Sequence, residues 1–76
     1  MQRYLNLSGN SGVAAYENGS DSIILRFGNG GTYVYTIASA GADNIRRMKN
    51  LAAVGEGLSA YVSRNVRGRF AAKLGD

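Results

Sequence analysis

Apolar and polar residues alternate in short runs over the first half of the chain and recur at helical spacing over the second. The clearest pattern is Ile23 to Ile37, IILRFGNGGTYVYTI. Two runs rich in Ile, Phe, Tyr, Val and Thr, the types that fit a pleated and half-buried surface, flank Gly28-Asn29-Gly30-Gly31. Three of those four linker residues are glycine and tolerate the positive φ of a tight turn, so the segment predicts a β-hairpin. Tyr33 and Tyr35 are two apart and share one face of their strand, with Thr32, Val34 and Thr36 on the other. Upstream, Val13 to Glu17 predicts another strand, with Val13, Ala15 and Glu17 on one face and Ala14 and Tyr16 on the other. Asn18-Gly19-Ser20-Asp21 then reads as a hairpin turn. Met1 to Leu7 alternates weakly and is a candidate edge strand, and Ser8 to Gly12 is a loop by composition.

After Ile37 the period changes. Ser39 or Asp43 is a plausible N-cap, and Asp43 also suits the positive end of a helix dipole. Ile45, Met48, Leu51 and Ala52 fall on one helical stripe, with Arg46, Arg47, Lys49 and Asn50 opposite. Gly55-Glu56-Gly57 ends this helix and begins another, in which Leu58, Val62, Val66 and Phe70 recur every four residues beside Tyr61. The expected fold is α+β: an antiparallel meander of three or four strands followed by two helices packed on one face. It is one domain over residues 1–76, with its core at about 13–74. Tyr35, Phe27, Ile45, Met48, Leu51, Val62, Val66 and Phe70 are expected to form one contiguous core.

Composition narrows the chemistry. The chain has 76 residues, no cysteine and no histidine. That excludes disulfides, thiolate nucleophiles and Cys-based metal sites, and it removes the commonest general base and metal ligand. A chain this small buries only about 60% of its unfolded surface, so a homo-oligomer, most simply a twofold dimer, is expected to supply further burial. Nine Lys and Arg against five Asp and Glu leave a net charge of +4, and Lys49 and Lys73 are the only lysines. No apolar run reaches the roughly 20 residues that cross a bilayer, and the N-terminus lacks a signal-peptide core, so a cytoplasmic protein is expected.

The order of landmarks carries a family resemblance. Tyr16, the Leu25-Arg26-Phe27-Gly28 segment, Gly30, Tyr33 with Tyr35, the Gly55-Glu56-Gly57 break, and Val66-Arg67 with Phe70 together resemble the KTSC domain. That family is named for an association with lysyl-tRNA synthetase and is found in bacteria and their phages. The similarity spans Val13 to Phe70. The chain differs in having Ile37-Ala38 where the family has a valine-proline pair and Gly55 where it has a serine. The spacing from Gly57 to Val66-Arg67 is also longer. The resemblance implies a fold and brings no settled activity or site residue.

Among candidate functional residues the arginines stand out. Arg46 and Arg47 lie on the outer side of the first helix, and Arg64 and Arg67 on that of the second. If the helices pack as a hairpin, the four merge into one surface that grips phosphate by charge and paired hydrogen bonds. Tyr16, Tyr33 and Tyr35, with Arg26 nearby, are a possible stacking platform for bases. The tyrosines of the Y-x-Y pair are either buried together under the helices or displayed together, and position on a thin sheet favours burial. The Gly28 to Gly31 loop precedes a strand, unlike phosphate loops that precede a helix, and reads as a hairpin turn. Gly55-Glu56-Gly57 reads as an interhelix hinge. Asp21, Asp43, Glu17 and Glu56 are scattered, with no spacing that brings two carboxylates together, so catalysis is not expected. The expected function is a non-catalytic binding module for an anionic ligand, nucleic acid or nucleotide, with no cofactor or metal and no membrane contact. The alternative is a protein-interaction module, such as a small phage-type inhibitor of a host enzyme or defence complex.

Overall fold

The computed structural model of the chain describes residues 1–9 and 11–74. It is an α+β fold with one antiparallel sheet. The strands are β1 (Gln2–Arg3), β2 (Val13–Asn18), β3 (Ser22–Phe27), β4 (Thr32–Thr36) and β5 (Ala72–Lys73), adjacent in that order. Between β4 and β5 run helices α1 (Ile37–Ala40), α2 (Ala42–Val54) and α3 (Leu58–Tyr61), the last continued by a π-helical stretch, Val62–Val66. The helices cover one face of the sheet. Buried Ile23, Leu25 and Tyr35 from the strands meet Ile45, Met48, Ala52, Leu58, Val62 and Val66 from the helices in one core.

The expected central hairpin forms. Phe27 N–H donates to Gly31 O at 2.7 Å and Gly30 N–H to Phe27 O at 3.0 Å. Asn29 Oδ1 accepts from Gly31 N–H at 3.2 Å, the local side-chain turn that Asn favours. The register pairs Leu25 with Tyr33 and Ile23 with Tyr35, so both tyrosines face the helices. The Asn-Gly turn also closes as expected, with Gly19 N–H donating to Ser22 O at 2.9 Å. Lys49 reaches over from α2 and donates to the Gly19 and Ser20 carbonyls.

Strict alternation fails in β2. The register slips between Val13 and Ala15, a β-bulge whose extra residue, Ala14, lets Val13 and Tyr16 both face the core. The N-terminal run contributes only two residues to the sheet, but Tyr4 behind them is buried, and its hydroxyl accepts the Leu58 N–H at 3.2 Å. That N–H opens α3, where Gly57 has no side chain to cap it, so the tyrosine fills the role of a capping side chain.

The start of the helices is displaced from both expected caps. Thr36 is the N-cap: its Oγ1 accepts from Ser39 N–H at 3.0 Å, and Ser39 Oγ accepts from Thr36 N–H at 3.0 Å. Ser39 is thus the reciprocal partner of a capping box. Asp43 lies in the first turn of α2 and pairs with Arg46.

The second helix also ends earlier than the four-residue apolar period implies, and Phe70 is not core. Arg67 takes an extended conformation, φ −57 and ψ 125, and Gly68 takes φ 80. Arg69 N–H then donates to Val66 O at 2.9 Å. This is the geometry of a type II turn, whose third position requires a residue at ease with positive φ. The chain reverses and returns to the sheet edge, where Ala71 and Leu74 N–H donate to Val34 and Thr32 O, each at 2.7 Å. A fifth strand is the result. Phe70 stays 38% exposed against Tyr33 and Tyr35, while Phe27 and Leu51 are partly buried against the core.

Candidate binding cleft beside the glycine hairpin

The early end of the helix creates a concavity. Phe27 closes β3, Tyr33 and Tyr35 stand on the inner face of β4, and Phe70 arrives on the return to β5. Facing them, Ser59, Val62 and Ser63 form the wall contributed by α3 and its π-helical continuation, and Arg67 lines it just past their end. Together they line an open cleft of about 580 Å³, with Asn29 of the hairpin turn at one end. Stretches of π-helix occur frequently at functional sites, and this one supplies the cleft wall.

The rings pack edge to face in a chain. Phe27 and Tyr33 centroids are 5.6 Å apart at 79°, Tyr33 and Phe70 4.8 Å at 66°, and Tyr35 and Phe70 6.4 Å at 88°. That arrangement sets the electropositive edge of one ring on the face of the next. Lys73, opposite Tyr33 in the β4–β5 register, holds its ammonium 5.6 Å from the Tyr33 centroid, a cation–π contact. Burial pushes the Tyr35 phenol above its usual value of 10.0, and the neighbouring Tyr33 pushes it the same way. The cleft is therefore aromatic and neutral inside. Arg67, exposed, is the cation among the residues that line it, and Lys73 stands over one of its rings.

The residues singled out from sequence divide. Tyr33 and Tyr35 line the cleft, Tyr33 half-buried and Tyr35 buried. Tyr16 does not: it is 5% exposed, because the bulge and its pairing with Leu25 turn it into the core, and it offers no ring face to a ligand. Arg46, Arg47, Arg64 and Arg67 are all exposed. Arg67 lines the cleft, whereas Arg46 and Arg47 line a separate depression on α2 with Asn50, Leu51 and Val54. Arg46 Nη1 there lies 3.1 Å from Asp43 Oδ1, which offsets its charge. Arg64 is in the π-helical stretch, one position past Ser63.

The sequence pattern places Phe27 and Phe70 in the core and gives no role to Ser59 and Ser63, whereas all four line the cleft, Phe27 while also packing against the core. A signal for the serines exists: Ser59, Ser63 and Arg67 recur every four residues, one place behind Leu58, Val62 and Val66. They form a polar ridge beside the apolar stripe.

Among the described residues no group of three or more acidic, His or Cys side chains is placed to hold a metal ion. Among the described residues no helix is long and apolar enough to cross a membrane. Comparison with protein families, characterised proteins and solved structures found no match.

Proposed function

We propose that the protein is a non-catalytic binding module for a nucleotide unit, with the base in the aromatic cleft and the phosphate on Arg67. One observation carries this reading. Three part-exposed aromatic rings, Phe27, Tyr33 and Phe70, and an arginine without a carboxylate partner among the described residues line the same open cleft, beside buried Tyr35. A base has a π-face whatever its identity, and stacking on aromatic side chains contributes about 1–3 kcal/mol per base. A guanidinium beside the rings meets the phosphate bidentately. Ser59 and Ser63 add hydroxyls that donate or accept along a base or sugar edge. The KTSC resemblance fits an origin of the fold in bacteria or phages and assigns none of these roles.

The test is calorimetric titration with UMP and AMP at low salt. The protein should bind both, because stacking tolerates either base. Hydrogen bonds to charged groups are worth about 1.5–3 kcal/mol, so Arg67→Ala should weaken binding by about tenfold or more. A variant with Arg46→Ala and Arg47→Ala should bind as the parent does. No binding of either nucleotide would overturn the reading, and the protein-interaction alternative would take its place.

A further inference from the structure

A second basic site lies on the sheet face that the helices leave uncovered. The register aligns Arg3 with Ala15 and Ala15 with Arg26, so the two arginines flank a small residue in one row across β1, β2 and β3. Neighbouring strands are about 4.8 Å apart, which separates the two backbones by roughly 10 Å. Arg26 alternates with the buried Leu25 and so projects from the opposite face. Both arginines are exposed, and the ion pairs among the described residues, Met1 with Glu17 and Arg46 with Asp43, involve neither. Glu17 faces the same side one row along, with the amino group of Met1 3.7 Å from its carboxylate. The local balance is therefore positive. Ala14 and Ala15 at the bulge keep the floor low, and a depression of about 440 Å³ opens between the arginines.

This depression adjoins the aromatic cleft. Phe27 lines both, and the hairpin turn gives Asn29 to the cleft and Gly28 and Gly30 to the depression. A turn built from three glycines and one asparagine raises almost no side-chain barrier between the two faces.

We infer that the nucleotide in the cleft belongs to a chain: the ligand is a single-stranded nucleic acid that crosses the glycine turn and sets a neighbouring phosphodiester between Arg3 and Arg26. The inference rests on the nucleotide reading of the cleft and extends it. An aromatic platform followed by a cationic track is how sequence-tolerant single-strand binders hold successive nucleotides. The sheet's other face then has a role that folding alone does not give it, since Arg3 and Arg26 contribute nothing to the core.

The experiment compares UMP with a uridylate tetramer and a thymidylate tetramer, each at low and moderate salt. The proteins are the parent and a variant carrying Arg3→Ala and Arg26→Ala. The parent should bind a tetramer at least about tenfold more tightly than UMP, an increment one further stacked or phosphate-bound nucleotide supplies. The variant should keep the parent's UMP affinity and lose the tetramer's advantage. Its salt slope should fall by about 0.7 per phosphate contact removed. Tight binding of either tetramer supports the inference, and their ratio tells RNA from DNA. UMP binding with no gain for either tetramer, or a gain that survives in the variant, overturns the extended site alone. Absence of binding by all the ligands overturns the cleft reading, and this inference with it.

Discussion

Tyr4 joins the N-terminal run to α3 through one hydroxyl, and its effect is separable from packing. Tyr4→Phe keeps the ring and removes the acceptor for the buried Leu58 N–H. An unsatisfied buried donor costs about 1–3 kcal/mol, so chemical denaturation should show that loss with an unchanged m-value. A midpoint equal to the parent's would mean that water replaces the tyrosine there. Gly55 is a second point of dependence. It caps α2 at φ 86, and a Cβ on it would lie 2.5 Å from Leu5 Cβ. Gly55→Ala should therefore cost more than the roughly 1 kcal/mol of left-handed strain alone, because the N-terminal run must also move. Tyr35 gives a pH effect of defined sign. Its folded pKa is raised above 10.0, so the folded state holds the proton longer than the unfolded one. Its contribution is complete below pH 10 and is lost as pH rises through the folded value. Tyr35→Phe should flatten the alkaline fall in stability, and an identical pH profile would contradict the assignment.

Elements whose pattern was local were legible in the sequence. The hairpins follow from Asn-Gly and the glycine linker, and α2 from the Ile45, Met48 and Ala52 stripe. What was not legible depended on one residue overriding a period. Ala14 adds a residue to β2 and brings Tyr16 inward, which alternation cannot show. Gly68 stops the helix between two residues that match its apolar period, so Val66 is core and Phe70 is not. The β5 strand has two residues, too few for any pattern, and exists because the turn at Gly68 aims the chain at the β4 edge. The same events decided how much of the site was readable. Tyr33, Tyr35 and Arg67 were named from sequence, whereas the cleft that unites them appears only once Phe70 leaves the helix. Phe70→Ala tests this placement. A fully buried Phe truncated to Ala costs about 3–5 kcal/mol, and the exposed fraction of Phe70 lowers the expected loss to about 1–2 kcal/mol. The variant should stay folded in thermal melts while its UMP affinity drops. Complete unfolding would return Phe70 to the core.

At the scale of the molecule, a single sheet separates two unlike surfaces. The helices bury one face and, by ending early, leave an aromatic cleft at its margin. The other face carries Arg3 and Arg26 beside Ala15, and the glycine turn joins the two. The radius of gyration, 10.8 Å, is close to the roughly 11 Å of a compact chain of this length. Among the described residues no buried side-chain nitrogen or oxygen lacks a hydrogen-bond partner. Arg3, Arg26 and Arg67 are exposed and lie outside the core, so binding variants on the surface are separable from stability variants in the interior. Arg67 is exposed and its turn depends on the positive φ of Gly68, and substitution of such a surface side chain usually changes stability by less than about 0.5 kcal/mol. Arg67→Ala should accordingly melt with the parent.

Nucleotide binding in the aromatic cleft is a proposal, and amide chemical-shift mapping tests both the binding and its location directly. Titrating the isotope-labelled protein with UMP should shift the backbone amides of Asn29, Tyr33, Ser59, Ser63, Arg67 and Phe70 along one binding curve, leaving Arg46, Arg47 and Asn50 of α2 unmoved. Shifts confined to α2, or none at the cleft with UMP in large excess, would contradict the account.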